Sequence, residues 1–176
     1  QLGDEKNENE SKTIRAIALL HQGSSGQAGI ELETCLAHYR EKHSLRWQSL
    51  VEANLSLYWA QTGDAVRGRQ FAQDALLHAQ EIEADNLIIL AWRSLSRFQA
   101  GREKKESLWT ALKLAREHHM LYAEASVLLL LAACHAEADE QAACWRQAVD
   151  MLHEMGLTGW LNGRSPQNPP HLPLIA

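Results

Sequence analysis

The chain has 176 residues, 45% of them hydrophobic, and a chain of this length can bury about 70% of its unfolded surface in one core. Its formal charge of -5, from 17 Lys and Arg against 22 Asp and Glu, has the wrong sign for a segment that binds nucleic acid by neutralising phosphates. Three cysteines, Cys35, Cys134 and Cys144, form no C-x-x-C pair, which argues against a disulfide framework and for buried thiols in a reducing compartment, so the cytoplasm is the expected location.

The chain opens on QLGDEKNENESK, a polar stretch without the apolar segment of a secretory signal. Residues 1–11 read as a polar N-terminal extension, and the missing initial Met suggests a piece of a longer protein. A first helical pair is expected over 12–42. Its internal turn contains GSSGQAG from Gly23 to Gly29, and the spacing of these glycines raises the question of a phosphate-cradling loop. Such a loop needs a preceding strand and a Lys-Ser/Thr after its last glycine. Here the preceding residues read as helix and Ile30-Glu31 follow, so Gly23 to Gly26 is expected to be a turn, and Gly29 a point of close packing in the helix beyond it.

The pair closes on CLAHYRE, Cys35 to Glu41, and the same template returns as ALLHAQE from Ala75, ALKLARE from Ala111 and AVDMLHE from Ala148. A small residue, an aliphatic, an apolar position and a final glutamate thus recur about every 36 to 40 residues, a period that marks arrays of helical hairpins. Further pairs follow over 45–82, 85–119 and 121–155, with turns at Thr62-Gly63-Asp64, Ala100-Gly101 and Glu137-Ala138-Asp139. Strong helix formers dominate and proline is absent before Pro166, so the class is all-α. The apolar run from Val127 to Cys134 is far short of the roughly 18 residues of a membrane span and reads as a buried helix. After Glu154, Leu157 stands where Leu45 and Leu121 begin a pair. A truncated fifth repeat and a Pro-rich tail, from Ser165 either disordered or a peptide-like extension, are expected over 157–176.

In the second pair, Leu55-Ser56, Trp59, Gly63, Gly68, Ala72 and Ala75 fall where tetratricopeptide repeats carry their leucine-glycine pair, aromatic, turn residue and small residues. Trp92 and Leu95-Ser96 echo that opening in the third pair. Over 12–156 the chain resembles the longer, degenerate tetratricopeptide-like repeats of bacterial signal-transduction ATPases and LuxR-type regulators of the maltose-operon activator kind. The resemblance implies a right-handed α-α superhelix of about four hairpins, serving as a scaffold or sensor segment.

Chemistry-bearing residues give little sign of catalysis. Cys134, His135, Cys144 and His153 lack the ligand spacing of a structural zinc site, and no nucleophile elbow or H-E-x-x-H is present. His118-His119 suits a helix C-terminus. No enzyme activity, metal or cofactor is expected. Arg93 and Arg97, four apart, project at 100° per residue onto one face with Asn86, Ile89 and Leu90, while Ile88, Trp92 and Leu95 mark the opposite, core-directed side. In repeats of the resembled type first helices line the concave groove, so these guanidiniums would clamp a carboxylate there. Asn54, Tyr58 and Gln61 offer a similar row on the preceding first helix. Most of the six tryptophans read as packing residues. Trp160 with Leu157 and Leu161 is expected to leave an apolar C-terminal edge open to a missing repeat or a second copy. The expected function is a non-catalytic segment of a cytoplasmic regulator that binds a protein or peptide. The alternative is an effector-sensing domain that binds a small inducer.

Overall fold

The computed structural model describes residues 2–135 and 137–169, and their side chains apart from those of 2–6, 25 and 160. Eight α-helices follow one another and pack in neighbouring pairs: α1 (Leu2–His21), α2 (Ser25–Glu41), α3 (Leu45–Thr62), α4 (Ala65–Glu81), α5 (Asp85–Leu95), α6 (Gly101–Glu117), α7 (Leu121–Ala132) and α8 (Ala138–Glu154). Short 3-10 turns cover Ser96–Phe98 and Thr158–Leu161. Among the described residues there is no strand, only an isolated bridge between Ser165 and Asn168.

Each recurrent heptapeptide closes an even-numbered helix, and Glu41, Glu81, Glu117 and Glu154 are their last residues. The exit from each is the same capping motif, with a left-handed residue at His43, Glu83, His119 and Gly156. The amides of Ser44, Ala84, Met120 and Leu157 donate back to the carbonyls of Tyr39, Ala79, Ala115 and Leu152 at 2.8 to 3.0 Å. This pairing satisfies the orphan carbonyls at a helix end and turns the chain sharply. The polar opening is part of α1 rather than a separate extension. Its Glu and Lys residues are good helix formers, and Glu8 pairs with Lys12 one turn on at 2.6 Å.

The two kinds of helix differ in environment. Even-numbered helices bury one stripe, in α4 the small residues Gly68, Ala72, Ala75 and Ala79. Odd-numbered helices after α1 touch both neighbours in sequence, and the odd helices also touch one another, α1 with α3, α3 with α5 and α5 with α7. Consequently every residue from Gln48 to Leu57 in α3 is buried. The close approach depends on small residues. Ser49 donates to the Ala75 carbonyl at 2.8 Å and Ser94 to that of Ala53 at 3.3 Å, so these two core hydroxyls are satisfied by the backbone of a neighbouring helix.

Two glycines mark further close approaches. The Tyr58 ring lies on Gly29 of α2 and the Phe98 ring on Gly68 of α4, each occupying the space a Cβ would need. Of GSSGQAG, only Gly23, at φ +89°, and Ser24 lie in the turn; α2 begins at Ser25, so Gly26 is already helical and Gly29 forms the aromatic seat.

The C-terminal segment departs from expectation. Leu157 opens a 3-10 turn, not a further α-helix, because Gly156 ends α8 and Gly159 and Gly163 interrupt the segment beyond it. Leu157 and Leu161 are partly buried against the core beside α8. Residues 165–169 make a turn, and Gln167 donates to Gln141 of α8 at 2.9 Å, so this part of the tail is ordered. The Trp160 side chain and the tail over 170–176 lie outside the described residues.

Candidate functional site

The arginine pair lies where the third hairpin deviates from the second. α5 spans 11 residues against 18 in α3, and the chain then tightens into the 3-10 turn Ser96–Phe98 before Gln99 and Ala100 run extended. Ser96 secures this turn by donating to the Arg93 carbonyl at 2.7 Å.

Arg93 is 4% exposed and buried on α5. Burial first, and the neighbouring Arg97 second, push its guanidinium down to about 10, while Tyr122 of α7 acts in the opposite sense. Burial alone brings Arg97 to about 10 as well. Both remain cations at neutral pH, so two partly desolvated positive charges stand close together.

The projected face is corrected by the packing. Ile89, Leu90 and Arg93 are buried, whereas Ile88 and Trp92, assigned to the core side, are only partly so. The assumption of one open face fails because α3, α4, α6 and α7 all touch α5. Arg97 also leaves the straight-helix projection, since a 3-10 turn advances about 120° per residue. Asn86 is half-buried in the first turn of α5, and Leu90 lies in the core shared with α1 to α4.

The row on α3 does not form one surface either. Asn54 is buried, its Nδ2 donates to the Leu50 carbonyl at 2.9 Å, and its Oδ1 is sealed without a partner. Tyr58 is half-buried against Gly29 and meets Trp59 edge-on, while Gln61 is exposed. The structure therefore brings Arg93 and Arg97 together but separates them from Asn54, Tyr58 and Gln61.

Arg97 does reach a surface, a cleft of about 600 Å³ between the start of α4 and the turn leading into α6. Val66 and Phe98 supply apolar wall, and Arg69, Gln70, Gln73 and Gln99 supply polar groups. Val66 is 82% exposed. Arg69 Nη2 lies 3.1 Å from Glu103 Oε1, which also accepts from Gln99 Nε2 at 3.1 Å. Periodicity alone does not single out Arg69, Gln99 or Glu103: they stand on different elements, and each reads as an ordinary solvated polar residue. A second open cleft of about 620 Å³ lies between α1 and α3, bordered by Glu10, Ile14, Arg15 and Trp47.

In the last hairpin, Cys134 donates to the Leu130 carbonyl at 3.1 Å and His135 Nδ1 bonds Glu140 at 2.7 Å. Among the described residues no three His, Cys, Asp or Glu side chains gather as metal ligands. No helix among them is long and apolar enough to cross a membrane. No family model, curated protein or solved structure matches the chain.

Proposed function

We propose that this chain is a non-catalytic interaction segment of a larger cytoplasmic regulatory protein, four hairpins wound as a right-handed, tetratricopeptide-like α-α superhelix that binds a protein or peptide. The observation that carries the reading is the two-layer packing. The inner odd-numbered helices α3, α5 and α7 are enclosed by their neighbours and touch one another, while even-numbered helices bury one stripe and keep the rest in solvent. Stacking of identical units predicts this asymmetry, and the fourfold capping motif, repeated hydrogen bond for hydrogen bond, supports units of one kind. Both clefts are open to solvent, which suits a chain laid across the surface better than a small inducer, whose pocket encloses most of the ligand.

A sensor reading would use the cleft between α1 and α3, where Trp47 and Ile14 give an apolar wall and Arg15 and Glu10 polar anchors. Selection of displayed random peptides on the intact chain separates the two. Enrichment of a consensus that also binds as a free peptide supports the interaction segment. A selection that yields no such consensus, with a small metabolite raising the melting temperature in its place, overturns it.

A further inference from the structure

We propose that the cleft between α4 and the turn before α6 is a carboxylate-binding site for an acidic–aliphatic peptide segment, and that Glu103 is its built-in competitor. The inference deepens the interaction-segment reading and rests on it. Its starting point is the unequal state of two arginines on one cleft. Arg69 already holds a carboxylate, Glu103, at 3.1 Å. Arg97 has none among the described residues: its Nε is sealed without a partner, and burial alone accounts for its shift. Arg97 itself lines the cleft, beside Arg69, with no anion paired to it among the described residues.

A guanidinium stripped of water on one side and lacking an anion gains more from a carboxylate than a fully solvated one, because the attraction acts in a less screened setting. The chain itself shows which anion suits the place, since the group on Arg69 is a carboxylate. Glu103 is held at one edge by Arg69 and Gln99. An incoming carboxylate that takes Arg97 and also displaces Glu103 from Arg69 would engage both guanidiniums. The exposed Val66 and the Phe98 ring offer apolar surface beside them, which fits an aliphatic residue next to the acid. Gln70 and Gln73 supply amides for the main chain of such a segment.

The test is NMR titration of the isotope-labelled intact chain with a capped hexapeptide that carries one glutamate followed by one leucine. Shifts are expected at the start of α4 and over residues 97–103, and none with the glutamine counterpart. Arg97→Gln, with helicity checked by circular dichroism, abolishes these shifts. Glu103→Ala, an exposed change that leaves the core untouched, tightens binding about two- to fivefold, the worth of an exposed ion pair removed from competition. The site is overturned if the glutamine peptide binds equally, if Glu103→Ala leaves affinity unchanged or weakens it, or if the glutamate peptide causes no shift. Shifts confined to another surface remove this site while leaving the interaction-segment reading in place. Stronger binding of the phosphoserine counterpart overturns the carboxylate assignment.

Discussion

The first two helix pairs and the last two carry the same exit turn but are built differently inside. In the first pair of hairpins the odd helices are long, the inner turns place Gly23 and Gly63 at φ near +90°, and each even helix offers a glycine to an aromatic ring. In the second pair α5 and α7 have 11 and 12 residues, and the inner turns follow other paths. On α6 the positions corresponding to Gly68 are the half-buried Lys104 and Lys105, and no aromatic ends α7. The difference teaches that the exit cap is common to all four helix pairs whatever lies inside them. The glycine is needed only where an aromatic arrives.

The core follows the same division. One cluster spans α1 to α5 and includes Leu55, Leu87 and Leu90, while the other joins Ile89 to α6, α7 and α8 around Leu112, Leu128 and Leu129. α5 is the hinge, with Leu90 in one cluster and Ile89 in the other. The largest expected effect tests this division. Leu55→Ala and Leu129→Ala each remove a fully buried side chain and are expected to cost about 2–5 kcal/mol in denaturant unfolding. Native-state hydrogen exchange should then show protection lost first in α1 to α4 for the former and in α6 to α8 for the latter. Equal loss across all eight helices from either variant would mean a single cooperative unit and break the comparison.

Gly68→Ala comes next. The added Cβ meets the Phe98 ring and lies 3.3 Å from the Ser56 carbonyl oxygen, whereas the three atoms nearest a Cβ at Gly29 all belong to the Tyr58 ring. A ring can swing aside, but a helix carbonyl in the core cannot. Against the roughly 1 kcal/mol helix-propensity gain of alanine, Gly68→Ala should still lose about 1–2 kcal/mol and Gly29→Ala clearly less. Melting temperatures of the two variants check the order. An equal or reversed order would mean that the two aromatic seats are not held as their contacts indicate.

Much of this architecture is legible before folding. The heptapeptide marks where even helices end, because its four copies recur in phase and each closes on the last residue of its helix. Gly29 as a close-packing point is legible too. The orientation of α5 is not, since projection assumes one open face and Ile89, Leu90 and Arg93 show that the helix is covered on several sides. The arginine cleft joins Arg69 to Gln99 and Glu103, residues some thirty positions apart. What unites them is the 3-10 turn, a departure from helical geometry that periodicity averages away.

A finer contrast lies in the carboxylates that tie helices together at the first and third junctions. Glu52 of α3 is fully buried, with Arg40 of α2 at 3.3 Å and His78 of α4 at 2.7 Å. Glu124 of α7 is held by Arg116 of α6 at 2.7 Å and accepts from Gln147 of α8 at 3.4 Å. Arg40 and Arg116 occupy the same place in their heptapeptides, so one device recurs. Burial raises the Glu52 carboxyl above its ordinary value, with the bond to His78 and the charges of His78 and Arg40 opposing it. A carboxyl with a raised value in the fold binds its proton more readily there than in the unfolded chain. Its contribution to stability therefore grows as pH falls through that raised value toward the ordinary 4.5. Glu52→Gln removes this titration, so any advantage of the variant over the parent at neutral pH should shrink on acidification in parallel denaturant titrations. A difference that stays constant or widens would mean that the paired charges, not burial, govern this junction.

The smallest effect concerns the feature that both halves share. The exit cap places His43, Glu83 and His119 at φ between 51° and 54° and Gly156 at 72°. A left-handed residue with a Cβ costs roughly 1–2 kcal/mol, and glycine avoids that cost but loses more conformational freedom on folding. Glu83 lies outside the ion pairs of its junction and its side chain is exposed, so Glu83→Gly isolates the backbone. The net gain should be about 0.5 kcal/mol, visible as a small rise in melting temperature. His119→Gly should match it if the caps are equivalent, because the hydrogen bonds at the two turns agree to within 0.1 Å, 3.0 against 2.9 Å from Ala84 and Met120. Unequal gains would locate the difference between the halves in the exits as well as inside the hairpins.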